Sequence, residues 1–404
     1  MAGVLEGVRI LDLTWGAAGP LGVLLLAEQG ADVVKVEPPG GDPFRAYAGY
    51  HVWNRSRRSV VLDLKSTAGS DAFHALLDSA DVVVESFRPG VTERLGFGYD
   101  DIAGQHPRLI YCSCPAYPDG HRNAGRPGYD ALVAAASGQQ WDQWGWRPGP
   151  IFMPMPMPSM GALFLVSIGI SAALVAREET GRGQHVRTSL LQGAFLYTTQ
   201  IWQHVEHDAA AHHSLMAKTS PPGVHQSSVF ECAHDEWIHA AAMNGLKPKK
   251  TEDQLLGLPD VGDMWTFMAL PPEEKRAIEE SRAAAYRSRR RDDLVGEFHE
   301  NDLGAEAIVR PAEMFDHPQL IANGMVATVD DPVLGETTQI GVPFTLEGAP
   351  GAIQGPQPKP GAHTREVLTE AGLDEPAIGA VFEATAEAAA AGTATNTGAA
   401  GTEG

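Results

Sequence analysis

Two stretches of this sequence gather cations around short β-rich runs. NRSRRSVVLDLK places Arg55, Arg57, Arg58 and Lys65 about one run, and ESFRPGVTERLG adds Arg88 and Arg94 at the end of another. On a chain of formal net charge −21, such clustering suits a ligand carrying several phosphates, gripped by forked guanidinium contacts. The alternative is that these arginines pair with surrounding Asp and Glu. A nucleophile is harder to find. PSMG, around Ser159, has the Ser-x-Gly half of a nucleophile elbow, but Met157 stands where the strained turn needs a glycine, so a serine hydrolase is not expected. HVEHDAAAHH offers His204 and His207 from one helical face, yet no carboxylate or thiolate cluster completes a coordination shell. Solvated surface histidines and no metal are expected. GFGYDD lacks the third glycine of a dinucleotide fingerprint, and there is no Walker sequence.

The elements that would position these residues alternate at α/β spacing. VRILDLT reads as a strand, PLGVLLLAEQG as a helix closed by glycine, and ADVVKVE as a second strand. SVVLDLK, a helix from about Thr67 to Ser79, ADVVVESF and RLIYCSC follow. This pattern predicts a parallel sheet with right-handed crossovers and a ligand at the carboxyl ends of its strands. Gly16, Gly19, Gly40, Gly41, Gly90 and Gly96 fall just past strand ends or at helix junctions, where a backbone can approach a ligand closely. FECAHDEWIHAAA reads as a small hairpin, and Glu273 to Asp302 as charged helix. VATVDDPVLGETTQIGVPFTLEG returns to β pattern. The Ala/Gly/Thr-rich tail after Phe382 has too few bulky apolar residues to pack, so disorder is expected there.

With 404 residues and 43% hydrophobic content the chain should form two cored domains. Its acidity argues against nucleic-acid binding. Cys112, Cys114 and Cys232 are odd in number without Cys-x-x-Cys spacing, so neither disulfides nor zinc are signalled and a reducing cytoplasm fits. MAGVLEGVRILDLTW is unlike a signal peptide. The apolar run Ala162 to Ala176 is shorter than the roughly 20 residues that span a bilayer, so a buried helix and no membrane partner are expected.

Taken together, GVRILDLTWGAAGP, GADVVKVEPPGGDPFR, NRSRRSVVLDLK, ESFRPGVTERLGFGYDDI, HPRLIYCS, GYDALVAAASG, ETGRGQHVRTSLLQGA, FECAHDEWIHAA and HPQLIANGMVATVDDPVLGE resemble the class III CoA-transferases. That family includes formyl-CoA transferase, carnitine CoA-transferase and α-methylacyl-CoA racemase. The resemblance implies an α/β chain: a Rossmann-like large domain with a parallel sheet, a smaller α/β domain, and an interlocked dimer. The corresponding spans would be 1–200 for the large domain, 201–324 for the small one, 325–380 for the return to the large domain and 381–404 for a disordered tail. It further implies coenzyme A, as a substrate thioester. Leu62, Lys65, Ser86, Phe87, Arg94 and Leu95 would meet its adenine and phosphates, with Gly16 and Ala17 bordering the thioester.

The family's nucleophilic aspartate stands ten residues before the glycine of an Ile-Gly-Ile segment. Here that glycine is Gly169 and the position is Ser159; no Asp or Glu occurs between Trp146 and Arg177. In the transferases the carboxylate forms an acyl anhydride and then an aspartyl-CoA thioester, whereas a serine ester would trap the acyl group in a more stable state. Racemases pair the same aspartate with a histidine at the position of Tyr129. Ala17 and Ala134 stand where transferases commonly have glutamines. Asp130 is the neighbouring carboxylate that could do acid/base work, or else serve as a structural acceptor. Met153, Met155, Met157 and Met160, with Trp141, Trp144 and Trp146, offer an adaptable apolar wall for a bulky acyl group, or ordinary packing. The expected function is therefore the subunit without the catalytic aspartate in a heteromeric CoA-transferase, partnered by an aspartate-bearing paralogue or by itself. The alternatives are a stand-alone acyl-CoA isomerase, lyase or racemase-like enzyme using Asp130, and a non-enzymatic CoA-thioester-binding protein.

Overall fold

The computed structural model describes residues 3–142, 150–197, 229–240, 246–262 and 264–399. The chain divides into two compact units, one of Met1–Asp142, Phe152–Thr199 and Pro318–Gly404, the other of Gln143–Ile151 and Gln200–His317. His204, His207 and the rest of the histidine-rich segment lie outside the described residues, as do Trp144, Trp146 and the side chain of Trp141.

The larger unit is built on six parallel strands: β1 (Arg9–Leu13), β2 (Asp32–Glu37), β3 (Arg58–Val61), β4 (Val82–Glu85), β5 (Ile110–Ser113) and β6 (His185–Arg187). They run in the order β3-β2-β1-β4-β5-β6. Both faces are covered, so the strands are apolar almost throughout and their alternation sorts residues between two cores. Leu11, Leu13, Val34, Val36, Val83 and Tyr111 meet the helices Thr67–Leu77, Thr364–Glu370 and Glu375–Ala399 on one side. Ile10, Val33, Val82, Val84, Ile110 and Cys112 meet the helices Ala18–Ala27 and Met157–Thr180 on the other. The second of these helices extends well beyond the apolar run in the sequence. By length and composition it could cross a bilayer, but it buries Ala162, Val166, Ile170 and Ala173 in the core.

The tail departs from expectation. Among the described residues a helix runs from Glu375 to Ala399, and 400–404 lie outside them. Alanine has the strongest intrinsic helix preference, and Ile378 and Val381, both 1% exposed, anchor the helix start against Phe73, Leu76 and Leu77. The same C-terminal region is tied to the sheet by ion pairs: Arg9 reaches Glu370 at 2.7 Å, and Arg58 reaches Glu370 at 2.8 Å and Glu366 at 3.1 Å. The charged segment Glu273 to Asp302 is helical as expected, in two helices, Pro272–Arg287 and Arg291–Glu300.

In the smaller unit, β7 (Val229–Glu231), β8 (Trp237–Ala240) and β9 (Ala305–Ile308) form an antiparallel sheet. Its core contains Ile238, Tyr286, Leu294 and Phe298. The hairpin VATVDDPVLGETTQI, β10 (Val326–Asp331) and β11 (Gly335–Ile340), belongs to the larger unit.

A buried charge network fixes the turn that leaves β1. Asp12 Oδ1 accepts from the Thr14 backbone N–H at 2.9 Å and from its hydroxyl at 2.5 Å, while Oδ2 accepts from Arg57 Nη1 at 2.6 Å. Arg57 Nη2 donates onward to the carbonyls of Pro20 (3.0 Å) and Trp53 (2.8 Å). Lys35 Nζ donates to the Thr14 carbonyl and lies 3.8 Å from Asp12 and 3.4 Å from Asp42. Gly19 lets the following helix come down on this turn, since a Cβ there would sit 2.3 Å from Thr14 Cβ. Asp12, Arg57 and Lys35 are all buried, so removing the carboxylate strands the Arg57 guanidinium and leaves Lys35 to Asp42 alone. Asp12→Ala is expected to cost about 3–5 kcal/mol, read as a lowered denaturant midpoint in equilibrium unfolding.

Candidate functional site

Strand order reverses between β1 and β4, and in doubly wound sheets the crevice outside the carboxyl ends of those two strands receives ligands. The residues expected to border CoA converge there. Past β1 lie Trp15, then Gly16 at φ +78°, a conformation open to glycine, then Ala17 ahead of the helix Ala18–Ala27. Past β4 lie Ser86 and Phe87. The two sides are joined directly: the Trp15 N–H donates to Ser86 Oγ at 2.9 Å, and the Trp15 and Phe87 rings meet edge to face at 6.0 Å.

Leu62 follows β3 with its side chain 1% exposed in the same core that Phe87 and Leu95 pack against, so only its main chain can face a ligand. Lys65 and Arg94 are exposed, and among the described residues neither is held in an ion pair. The phosphate-binding reading of the arginines needs correction for three residues. Arg55 is fully buried, with Nε on Glu28 at 2.7 Å and Nη1 on Gln339 Oε1 and the Ile340 carbonyl. Arg57 holds Asp12, and Arg58 holds Asp32, Glu366 and Glu370. Pairing with carboxylates accounts for all three. It leaves Lys65, Arg88 and Arg94 as the exposed cations of the two stretches.

Asp130 and Ser159, far apart in sequence, meet. The Ser159 backbone N–H donates to Asp130 Oδ1 at 2.7 Å and its hydroxyl to Oδ2 at 2.9 Å. Ser159 sits in the first turn of the helix Met157–Thr180, whose own N-cap, Pro156, has no side chain to bond an open N–H. Asp130 supplies that cap from another helix, and its charge suits the positive end of the helix dipole. Ser159 is 2% exposed, whereas Tyr129 beside Asp130 is 61% exposed. Of the methionines leading to this helix, Met155 is exposed and Met153, Met157 and Met160 are half-buried.

Behind the crevice is a residue the sequence reading passed over. Glu85, the last residue of β4, is 5% exposed and accepts from the Phe87 N–H at 2.7 Å. Ser113, its register partner on β5, stands beside it and favours its charged form, and Ser113 Oγ lies 2.9 Å from His185 Nε2. Arg187 Nε–H donates to His185 Nδ1 at 3.1 Å. Burial pushes the Glu85 carboxyl up to about 7, against the Ser113 and Phe87 bonds and with help from Glu93 and Asp119. Burial, aided by Arg187, lowers His185 to about 4. The signal available in sequence was a carboxylate ending an otherwise all-valine strand.

A model described as CoA-transferase family III matches residues 5–364. The chain belongs to that family. Among curated relatives, this CoA-transferase family III chain is 33% identical to a succinyl-CoA:mesaconate CoA-transferase of Haloarcula marismortui, over 92% of this chain and 97% of that protein. It is 29% identical to a formyl-CoA:oxalate CoA-transferase of Streptomyces avermitilis, over 93% and 97%. Among solved structures it is similar to Rv3272 of Mycobacterium tuberculosis, named a probable fatty acyl-CoA transferase, with TM-score 0.75 and 27% identity over 91% of this chain and 99% of that one. Membership implies a CoA thioester as substrate. Among the described residues no group of three or more His, Cys, Asp or Glu could hold a metal ion.

Glu85 gives the family III chain a stability that depends on pH. Between about 4.5, the ordinary value of a free Glu, and about 7, the folded protein keeps a proton that the unfolded chain has lost. Stability contributed by Glu85 is therefore complete below about pH 4.5 and lost as pH rises through 7. Relative to Glu85→Gln, wild type is expected to lose roughly 3 kcal/mol across that window, measured by denaturant unfolding at a series of pH values.

Proposed function

We propose that this chain binds an acyl-CoA thioester in the crevice outside β1 and β4, and that it serves as the subunit without a nucleophilic carboxylate in a heteromeric CoA-transferase acting on a bulky hydrophobic acid. The observation behind this reading is position 159. Where the family resemblance expects an aspartate stands a buried serine with both its N–H and its O–H on Asp130, and no Asp or Glu occurs between Trp146 and Arg177. A nucleophile must present a lone pair to the thioester carbonyl, and an ester on serine would hold the acyl group at too low a transfer potential for return to CoA. Asp130, with each oxygen accepting from Ser159, is engaged as a helix cap.

In this reading Gly16 and Ala17 border the thioester, Ser86, Phe87 and Leu95 flank the nucleotide, Leu62 contributes main chain, and Lys65 and Arg94 meet phosphates. Met153, Met155, Met157 and Met160, ahead of and in the first turns of the Met157–Thr180 helix, form an adaptable wall for the acyl chain, in keeping with the name of the mycobacterial relative. Phe164, Ile168 and Val175, exposed at helical spacing on that helix, are apolar surface that an interlocked partner would cover. The free, buried cysteines fit a cytoplasmic setting.

Co-expression with aspartate-bearing paralogues tests the subunit role. A stable complex that transfers CoA, with neither chain active alone, is the expected outcome; a homodimer that never associates with a paralogue counts decisively against it. A second reading rests on Asp130 lying within 2.9 Å of the Ser159 hydroxyl, so that a carboxylate does stand at the mouth of the helix. There it could abstract the acidic α-proton of a thioester. Deuterium wash-in at the α-carbon of an acyl-CoA by the purified chain alone would favour this second reading over the first. For the binding footprint, Arg94→Ala is expected to weaken CoA-thioester binding by about 1.5–3 kcal/mol, measured by calorimetry, through loss of a charge-assisted phosphate contact. Unchanged affinity would mean that the footprint is misplaced.

A further inference from the structure

Glu85 is buried at the strand-order reversal, two residues from Phe87, and takes no part in the chemistry described above. Its Oε2 holds the Phe87 N–H at 2.7 Å, its neighbour across the sheet is Ser113, and the turn that it closes is the one whose Ser86 Oγ and Phe87 ring receive Trp15 from the β1 side. We propose that Glu85 is a positioning residue of the CoA site: by accepting from Phe87, with Ser113 beside it on β5, its carboxylate sets the Ser86–Phe87 turn, so that CoA affinity follows the charge on Glu85. This inference rests on the CoA footprint proposed above.

The donors behind Glu85 are arranged for one charge state. Arg187 Nε–H occupies His185 Nδ1, so the ring proton is on Nε2 and is given to Ser113 Oγ. Ser113 then has its own proton to give to Glu85. The chain Arg187, His185, Ser113, Glu85, Phe87 is thus satisfied throughout when Glu85 is an anion. A protonated carboxyl offers Phe87 a neutral acceptor, which forms a weaker bond, and frees the turn from its hold on Trp15.

The groups around Glu85 leave it the one in this chain of contacts that titrates near neutrality. From β5, Cys112 and Tyr111 are pushed well above their ordinary values by burial, and Cys114 just after it up to about 12. From β6, His185 is lowered to about 4, with Arg187 behind it. Glu93 and Asp119 face Glu85 as like charges that favour its neutral form, and burial places its titration at about 7.

Calorimetric titration with CoA, from about pH 5.5 to about pH 8.5, on wild type, Glu85→Gln and Ser113→Ala tests this inference. Ionisation of CoA's own phosphates is common to all three proteins and cancels in the ratio of affinities. Wild type is expected to gain about five- to tenfold in affinity relative to Glu85→Gln as pH rises through neutrality, and Ser113→Ala to shift that gain to higher pH by removing a donor that favours the anion. Wild-type and Glu85→Gln profiles that superimpose overturn the inference and leave the CoA footprint standing. If Glu85→Gln does not fold, an inflection in Ser113→Ala that stays in place or falls to lower pH overturns it equally. Failure of wild type to bind CoA at any pH overturns the footprint and the inference together.

Discussion

The ion pair between Asp12 and Arg57 is the interaction on which the larger unit depends. Two opposite charges out of water stabilise a fold only when every remaining lone pair and proton is used, and here they are used to tie elements together. Asp12 caps its own turn through Thr14, and Arg57 gathers carbonyls from the helix after β1 and from Trp53. The result is that β1 ends at one place and in one direction. Gly16 and Ala17, Trp15 on Ser86, and Ser86 beside Glu85 all follow from where that turn delivers the chain.

Much of the fold was legible because parallel strands buried on both faces have little freedom in composition. RILDL, DVVKVE, RSVV, VVVE and IYCS all fall where runs of β-branched and apolar residues placed them, with helices between. The arginines of NRSRRS were legible only in part. A guanidinium bound to a buried carboxylate and one waiting for a phosphate have the same sequence, and only the positions of Glu28, Asp12 and Asp32 in space tell them apart. The C-terminal helix was hidden for a related reason: Ile378 and Val381 anchor its start just ahead of the Ala/Gly/Thr-rich segment, and two anchors are enough to start a helix whose later residues are rich in alanine.

At the site, the family resemblance pointed to Ser159 and Asp130 separately but could not say that they bond each other. The contact changes what each can be. The serine gives both its donors to one carboxylate at a helix start, and the carboxylate has its place fixed by the same bonds. Glu85 was invisible for the opposite reason. A single glutamate after three valines looks like a strand end, and its chemistry comes entirely from Ser113, His185 and Arg187, brought alongside by neighbouring strands.

The ion pairs from Arg9 and Arg58 to Glu370 have a consequence for the order of events during synthesis. Arg9 and Glu370 are 361 residues apart, and Arg55 binds carbonyls 285 and 286 positions further on. The first strand is therefore made long before the helix that satisfies it, and the guanidinium of Arg55 waits for residues that emerge only after the whole smaller unit. Contacts of such separation bear a heavy loop-closure cost and form late. While the nascent chain lengthens, the edge that these arginines finally cover stays open to solvent and to other chains, so the larger unit cannot complete itself domain by domain in the usual order.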